Sequence, residues 1–301
     1  MTSSLRNQVA IVTGAGRGIG RAIAQALAAA SAKVAVVARS EKELAETVAL
    51  IEADGGTAAA FPADVTNASA ISSAFAEIER ALGPVDLLVN NAGIIGPIAP
   101  FWEQSLDEWW RAVDVNLRGP AVCSHRVLPR MVARRRGRIV NVISGGAAFA
   151  LTHFSAYIAS KTALARFTEI LATEVKPDGV AVFALSPATV RTAMSEHSLN
   201  SPEGRKWIPW FRRVFDEGLV VPAERPAQMV VELASGRADA LSGRFLSVSD
   251  DLDLLLADLE EIERDHLYSL RVRKLAAAAS NPKFDAIRAV GEAARMSKSA
   301  G

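Results

Sequence analysis

A tyrosine and a lysine lie four residues apart, at Tyr157 and Lys161. Residues at positions i and i+4 share one face of a helix, so the phenol and the ammonium can lie side by side. A free phenol has a pKa of about 10 and is a poor base at neutral pH. A nearby positive charge favours the phenolate, which could then exchange a proton with an alcohol or carbonyl oxygen. The pair alone is also compatible with an ordinary amphipathic helix.

A glycine-rich turn joins a predicted strand to a predicted helix. It has the pattern T-G-x-x-x-G-x-G, with Gly14, Gly18 and Gly20 at its defining positions and Ile19 between the last two. Glycines let the backbone turn tightly and approach a pyrophosphate closely. The helix N-terminus that follows offers unpaired N–H groups and a positive dipole end. The turn therefore predicts a dinucleotide site, and a purely structural turn is the alternative.

Two arginines bear on which dinucleotide would bind. An NAD site usually has an acidic residue at the end of the second strand, where it holds the ribose 2′-OH. Here that place is taken by Arg39, which accepts no hydrogen bond but suits a 2′-phosphate. Arg17, within the glycine turn, could reach the same phosphate. The sequence thus favours NADP(H) over NAD(H).

Short β-branched runs alternate with segments of helical period. The predicted strands cover residues 9–12, 34–38, 57–61, 85–90, 138–143, 180–185 and 244–248. One or two long helices are predicted over residues 106–135. This alternation predicts an α/β fold: a single Rossmann-type, doubly wound parallel sheet of about seven strands with helices on both faces.

The composition excludes several classes of function. The chain has 301 residues, of which 50% are hydrophobic and 22% charged, and its net charge is +1. It is predicted to be a folded globular protein with no nucleic-acid or membrane partner. The run 134–136 is interpreted as a solvated helix end. The polar start, residues 1–8, lacks the apolar segment of a signal peptide. One cysteine, Cys123, and scattered histidines predict no disulfide, no metal site and a cytoplasmic location.

Further motifs occur in order over about residues 8 to 250. Asp64-Val65 follows the third strand, Asn90-Asn91-Ala92-Gly93 follows the fourth, and Asn116 lies in a helix. Ser144 ends the fifth strand, 13 residues before Tyr157. With these motifs the sequence resembles the classical short-chain dehydrogenase/reductase family.

The resemblance implies a role for each catalytic position. Tyr157 would be the general acid/base and Ser144 would hold the substrate oxygen. Lys161 would bind the nicotinamide ribose and lower the pKa of the tyrosine. Asn116 would hold a water molecule that extends the proton relay.

The resemblance also implies further cofactor-binding residues. Asp64 and Val65 would contact the adenine, and Asn91 and Gly93 would line the adenosine ribose. Beyond the sixth strand, two residues match positions that contact the nicotinamide carboxamide and the phosphates; they are Val190 and Thr192.

One position departs from the family pattern. The family usually has Pro-Gly after the sixth strand, where this chain has Pro187-Ala188. Alanine does not readily adopt a positive φ. The departure predicts that this loop sits differently beside the nicotinamide.

Residues 1–249 are predicted to form one dinucleotide-binding and catalytic domain, within which residues 191–222 occupy the place of the family's substrate lid. Aromatic side chains of this segment could line an apolar pocket or pack a short pair of helices. The candidate substrate contacts are His153, Trp207 and Trp210. His153 lies four residues before Tyr157, where family members often contact substrate, and is otherwise a loop histidine.

Residues 250–301 are predicted to form a helical C-terminal extension with a stripe of leucines. The stripe could pack on its own domain, form a subunit interface or cover a neighbour's site. Residues 117–135 and 157–175 resemble the family's dimerisation faces, which implies a homodimer or homotetramer.

Together these features predict an NAD(P)-dependent short-chain alcohol dehydrogenase or ketoreductase. It would transfer a hydride between nicotinamide and a small-molecule alcohol or ketone. The alternative is a non-catalytic dinucleotide-binding sensor or scaffold protein. The substrate and the direction of the reaction stay open.

Overall fold

The computed structural model describes residues 5–272 as a seven-stranded parallel sheet with helices around it. The strands are β1 (Val9–Thr13), β2 (Lys33–Ala38), β3 (Thr57–Pro62), β4 (Leu87–Asn90), β5 (Gly137–Val142), β6 (Val180–Ser186) and β7 (Phe245–Ser247). The helices are α1 (Gly18–Ala29), α2 (Glu41–Ala53), α3 (Ala68–Leu82), α4 (Leu106–Val113), α5 (Gly119–Ala133), α6 (Ser155–Val175), α7 (Ala193–Asn200), α8 (Pro202–Trp207), α9 (Phe211–Asp216), α10 (Glu224–Ser235), α11 (Leu252–Ala257) and α12 (Leu259–Arg264). The predicted α/β class and the seven parallel strands are confirmed.

The strands are continuously apolar because both faces of the sheet are covered. In β1, Ala10 and Val12 belong to one core layer, whereas Val9 and Ile11 belong to the layer on the opposite face. This alternation follows from the two-residue period of a strand. Parallel strands buried on both faces therefore appear in the sequence as unbroken apolar runs rather than as alternating patterns.

The order of strands creates a crevice at one edge of the sheet. The order is β3-β2-β1-β4-β5-β6-β7, so the chain winds outward from β1 to β3 and then returns to place β4 beside β1. Ligands of such sheets bind at the carboxyl ends of the strands where this reversal occurs. The backbone N–H of Asn91 donates to Thr13 Oγ1 at 3.1 Å, which joins the ends of β1 and β4 at that point.

The long helical region predicted over residues 106–135 is two helices joined by a wider turn. Helices α4 and α5 are separated by a π-helical turn over Asp114–Arg118. Such single π turns are rare and frequently occur at functional sites. Asn116 lies within this turn and is completely buried.

The arginine run at residues 134–136 is a helix end, as predicted, but its side chains are bonded to protein groups. Arg134 and Arg136 both reach the Asp86 carboxylate, at 3.1 and 3.3 Å. Arg135 donates to the Pro177 carbonyl at 2.7 Å. These contacts attach the end of α5 to the segments that lead into β4 and β6.

The first part of the C-terminal extension packs on its own chain. Leu252, Leu255 and Ile262 are buried in the same core layer as one face of β1. The backbone N–H of Phe245 in β7 donates to the Tyr268 carbonyl at 2.7 Å. The remainder of the predicted extension, residues 273–301, lies outside the described residues. Between residues 5 and 272, no helix has the length and apolar character needed to cross a membrane.

Phe183, in the middle of β6, has no exposed surface. We expect Phe183→Ala to lower the free energy of unfolding by about 3–5 kcal/mol, because it removes a large buried ring and leaves a cavity. Phe149, whose side chain is 59% exposed, provides the control; its change to alanine is expected to cost less than about 0.5 kcal/mol. Urea denaturation measures both values, and equal losses would contradict the burial of Phe183 between sheet and helices.

Candidate active site

The segments that follow β1, β4, β5 and β6 meet at one edge of the sheet. In the turn after β1, Gly14 has a φ of +66°, and a Cβ atom there would lie 2.8 Å from the Ala92 Cα. A Cβ atom at Gly20 would collide with the Gly14 carbonyl. The turn therefore requires glycine at both places, and the close approach of the backbone explains the motif.

Asn91 links this turn to the end of β4 through hydrogen bonds. Its Nδ2 donates to the Thr13 carbonyl at 3.0 Å and to the Gly14 carbonyl at 3.3 Å. The resemblance predicts that Asn91 lines a ribose, but in the structure its amide nitrogen serves the glycine turn. Gly93 continues toward the catalytic pair: a Cβ atom there would lie 3.5 Å from Lys161 Nζ.

Positive charge gathers at the predicted adenine end of the crevice. Partial burial raises the pKa of the Asp64 carboxyl, but hydrogen bonds from Thr66 and the charges of Arg39 and Arg111 outweigh burial and leave that pKa below its usual value. Arg39 itself is exposed. The Val65 side chain is buried in the core against α5, so only its backbone remains available to a ligand.

Arg17, the second arginine predicted to face a 2′-phosphate, is in an ion pair. Its Nη1 lies 3.4 Å from Glu43 Oε1, and the arginine side chain is 66% exposed. Exposed pairs of this kind contribute about 0–1 kcal/mol. Arg17 can therefore exchange this partner for a ligand phosphate at little cost.

Tyr157 and Lys161 share a face of α6, as their spacing predicts. Lys161 Nζ lies 5.9 Å from the centre of the Tyr157 ring and donates to the Val142 carbonyl at 2.7 Å. Burial lowers the pKa of Lys161 to about 8, so the amine is mainly protonated at pH 7. Burial raises the pKa of Tyr157, and a hydrogen bond with Ser144 acts in the opposite direction. Tyr157 is thus a neutral phenol at pH 7, with Ser144 and an ammonium beside it.

Asn116 connects this pair to the loop after β4. Its Oδ1 accepts from the Ile94 N–H at 2.9 Å, and its Nδ2 donates to the Ile94 carbonyl at 2.9 Å and to Ser160 Oγ at 3.0 Å. Both amide hydrogens are therefore in use. A water held by Asn116, as the resemblance implies, would have to bind an oxygen of this residue.

The loop after β6 differs from its prediction. Ala188 has a φ of +56°, which is the left-handed conformation that the alanine was expected to avoid. The loop is held on both sides, because Val190 pairs with Val221 and Thr192 caps α7 through the Ser195 N–H at 3.3 Å. Tertiary contacts thus impose the conformation at a cost of about 1–2 kcal/mol.

Thr192 also lies against the glycine turn. A Cβ atom at Gly18 would lie 3.3 Å from the Thr192 Cγ2. Ile19, the next residue, is partly buried at the start of α1. The segment after β6 therefore closes one side of the predicted phosphate site.

The three candidate substrate residues each have an aromatic neighbour, and one of them, Trp207, packs with Tyr157. His153 has a φ of +69°, and its ring centre lies 5.3 Å from that of Trp207. Its buried Nδ1 has no hydrogen-bond partner within residues 5–272. Trp210 meets Phe154 edge-on at 6.4 Å. Trp207 belongs to an apolar cluster that includes Tyr157.

Sequence reasoning missed a group of residues behind the glycine turn. Thr47 and Arg21 bond the carbonyl groups of this turn from α2 and α1. A signal was present, because Thr47 replaces an apolar residue in the core-facing stripe that Leu44 and Ile51 define. A polar residue at a core position usually has a specific hydrogen-bonding partner.

The site fits a dinucleotide. A glycine turn opens onto a helix, two exposed arginines lie at one end, and a phenol, a hydroxyl and an ammonium lie at the other. Arginines suit phosphate groups, and the phenol can transfer a proton. The arrangement can therefore hold an elongated anionic cofactor with its reactive end near Tyr157.

Comparisons with known proteins agree with this arrangement. The short chain dehydrogenase family model matches residues 8–203. A short chain dehydrogenase of Pseudocercospora fijiensis is 35% identical over 89% of this chain and 90% of its own length. A Beutenbergia cavernae protein solved with NADP at low occupancy is 36% identical, with a TM-score of 0.74 over 85% of this chain and all of the other. A variant of actinorhodin polyketide ketoreductase, solved with NADPH, is 33% identical, with a TM-score of 0.74 over 82% of this chain and 97% of the other.

The lowered pKa of Lys161 predicts how the free energy of unfolding changes with pH. Its pKa of about 8 in the folded chain lies below the value of about 10.4 expected for an unfolded lysine. Between these values the unfolded chain keeps a proton that the folded chain has lost, so stability rises with pH. We expect the stability of the wild type, relative to Lys161→Met, to increase by up to about 3 kcal/mol between about pH 7 and pH 10.5. Lys176→Met, at an exposed lysine just after α6, is the matched control in urea denaturation. A relative stability that does not change with pH would contradict burial as the cause of the lowered pKa.

Proposed function

We propose, on the premise that this chain belongs to the short chain dehydrogenase family, that it is an NADP(H)-preferring oxidoreductase that interconverts an alcohol and a ketone. Dependence on NAD(P) is common to the family. The finer proposal depends on one observation above all: a neutral phenol, Tyr157, is bonded to Ser144 and has a lysine ammonium nearby. This surrounding suits a group that exchanges a proton.

In the proposed reaction, Tyr157 and Ser144 act on the substrate oxygen. During reduction, the Tyr157 Oη proton passes to the oxygen while the Ser144 hydroxyl holds it. During oxidation, the same oxygen atom of Tyr157 takes the proton back. The bound nicotinamide supplies or accepts the hydride, and that chemistry belongs to the cofactor. The burial that raises the pKa of Tyr157 supports its role as a proton donor at neutral pH.

The charge of Lys161 supports the proton transfer in both directions. At pH 7 its ammonium lies beside the phenol and stabilises the phenolate that forms when Tyr157 gives up its proton. The Val142 carbonyl fixes the ammonium, which leaves its other two hydrogens free for a ribose hydroxyl. Lys161 would therefore bind the cofactor and assist the tyrosine.

The preference for NADP(H) is proposed from Arg17 and Arg39. Both side chains are exposed, and the charge of Arg39 acts on Asp64, where the adenine would lie. The family's alternative, an acidic residue at the end of β2, is absent from this position. A 2′-phosphate carries two negative charges at most and is well matched by two guanidinium groups.

Residues 191–222 are proposed to form the substrate lid. Their ends are joined by the pairing of Val190 with Val221, and Trp207 contacts the cluster around Tyr157. A substrate held there would meet apolar and aromatic surface. This lining favours a ketone or alcohol with an apolar body.

Two further proposals concern assembly and location. The resemblance implies that the outer faces of α5 and α6 form a homodimer or homotetramer, and Ile170 on α6 is half-exposed there. The cytoplasm is the proposed location, because the single cysteine, Cys123, cannot form an internal disulfide and a reducing compartment is the default for such a chain.

Tyr157→Phe tests the proposed general acid/base. We expect kcat to fall by roughly 10²–10⁴-fold, because the proton donor is lost, while the Kd for NADPH stays within twofold. The assay follows reduced nicotinamide absorbance with a panel of ketones and alcohols. Tyr268→Phe changes the only other tyrosine and is expected to retain full activity.

The outcomes of this assay separate the two functions. Turnover by the wild type that survives in Tyr157→Phe would refute the assigned role of the phenol. A wild type that binds NADPH tightly and turns over none of the panel would support the sensor or scaffold alternative.

Arg39→Asp tests the cofactor preference. We expect the Kd for NADPH to rise by roughly 10–100-fold, because a charged hydrogen bond to the 2′-phosphate is replaced by repulsion. Binding of NADH should stay equal or improve, because the new carboxylate can accept from the ribose 2′-OH. Arg80→Asp makes the same charge change on α3 and controls for the altered net charge. Tighter binding of NADH than of NADPH by the wild type would refute the preference.

A further inference from the structure

A buried threonine on α2 reaches the back of the glycine turn. Thr47 has no exposed surface. Its Oγ1 lies 3.0 Å from the Ala15 carbonyl oxygen, 3.3 Å from that of Gly16 and 3.0 Å from that of Glu43. The contact with Glu43 is the ordinary bond of a helical threonine to the preceding turn. The hydroxyl has one hydrogen, which the three carbonyl oxygens share, and the contacts with Ala15 and Gly16 link α2 to the glycine turn.

Arg21, in α1, holds the same carbonyl from another direction. Its Nε donates to the Gly16 carbonyl at 3.0 Å and lies 3.0 Å from Thr47 Oγ1. Its Nη2 also bonds the Gly16 carbonyl and donates to Glu46 at 3.1 Å. The Glu46 carboxylate of α2 therefore balances the charge of Arg21. The planar guanidinium of Arg21 binds the Gly16 carbonyl of the turn through two of its nitrogens.

The direction of these carbonyls determines the direction of the next amides. In a trans peptide, the C=O of one residue and the N–H of the next point in opposite directions. The Ala15 and Gly16 carbonyls point toward Thr47, so the N–H groups of Gly16 and Arg17 point away from α2. Neither N–H donates to any group within residues 5–272. They are free donors in the turn that precedes α1.

We propose that Thr47 and Arg21 are positioning residues for the cofactor: they hold the Ala15 and Gly16 carbonyls so that the next two N–H groups face the pyrophosphate. This inference rests on the proposed function, because it takes the turn to be the pyrophosphate site. A valine at position 47 would fill the core equally well, since its volume matches that of threonine. The Thr47 hydroxyl therefore serves to hold the carbonyl groups of the turn and is not needed to fill the core.

The position of Thr47 behind the turn leads to a distinctive prediction about specificity. The pyrophosphate is common to NADPH and NADH, whereas the 2′-phosphate is not. Loss of the Thr47 hydroxyl must therefore weaken both cofactors by the same factor. Substitutions of Arg17 or Arg39 would instead affect NADPH alone.

The test is Thr47→Val, with titration of NADPH and NADH against the full chain. We expect both Kd values to rise by about tenfold, by equal factors, while kcat at saturating cofactor stays within twofold. Thr47→Ser keeps the hydroxyl and is expected to restore binding to within twofold of the wild type. Thr173→Val removes the same type of bond, from Oγ1 to the Glu169 carbonyl at 3.0 Å, at an exposed position of α6 and serves as the control.

A second variant covers the case in which Thr47→Val fails to fold. Arg21→Lys keeps the positive charge but loses the fork, and the same equal weakening of both cofactors is expected. Unchanged binding in either folded variant, or a loss confined to NADPH, would overturn the proposal. Absence of NADPH and NADH binding by the wild type would instead refute the proposed function itself.

Discussion

A hydrogen bond between two buried asparagines holds the central strands in the arrangement that the site requires. Asn90 Nδ2 at the end of β4 donates to Asn141 Oδ1 in β5 at 2.8 Å, and also to Ser124 Oγ of α5 at 3.2 Å. Asn141 in turn donates to Thr168 Oγ1 of α6 at 2.8 Å. Buried polar groups are costly unless they are paired, so these bonds favour one register of the two strands and two helices, although Asn90 Oδ1 has no partner among residues 5–272. That register fixes α6, and with it Tyr157, relative to Ser144 at the end of β5.

The catalytic groups depend on burial as much as on position. The same burial that makes the Lys161 amine easier to deprotonate makes the Tyr157 phenol harder to deprotonate, since each shift favours the neutral form. At neutral pH the phenol therefore keeps the proton that it would donate in the proposed reduction. The ammonium, still mainly protonated, would stabilise the phenolate left behind. Both roles proposed for Lys161, ribose binding and assistance to the tyrosine, would depend on one buried ammonium held by one backbone carbonyl.

Periodicity and glycine spacing predicted the strands, their parallel sheet and the glycine turn, because these depend on local pattern and on burial of both faces. The π turn around Asn116 could not be predicted, since it arises where α4 and α5 must both pack while the Asn116 amide pairs with Ile94. The expectation for Ala188 was wrong because intrinsic φ preference, worth about 1–2 kcal/mol, is smaller than the combined contacts on either side of the loop. Thr47 was visible as a polar residue in an apolar stripe, but only the structure shows which carbonyls it faces.

The segment after β6 joins the two halves of the site. The pairing of Val190 with Val221 closes the base of residues 191–222, and Thr192, just inside this base, lies against Gly18. Further along, Trp207 stacks near His153 and packs in the cluster around Tyr157. With the cofactor placed as proposed, its phosphates would touch the start of this segment and its reactive end would face the aromatic part. Because one segment would then contact both ends, occupation of the phosphate site would favour the conformation of residues 191–222 that lies over Tyr157. The proposed cofactor site and the proposed lid thus share one loop, and the Val190–Val221 pairing closes its base.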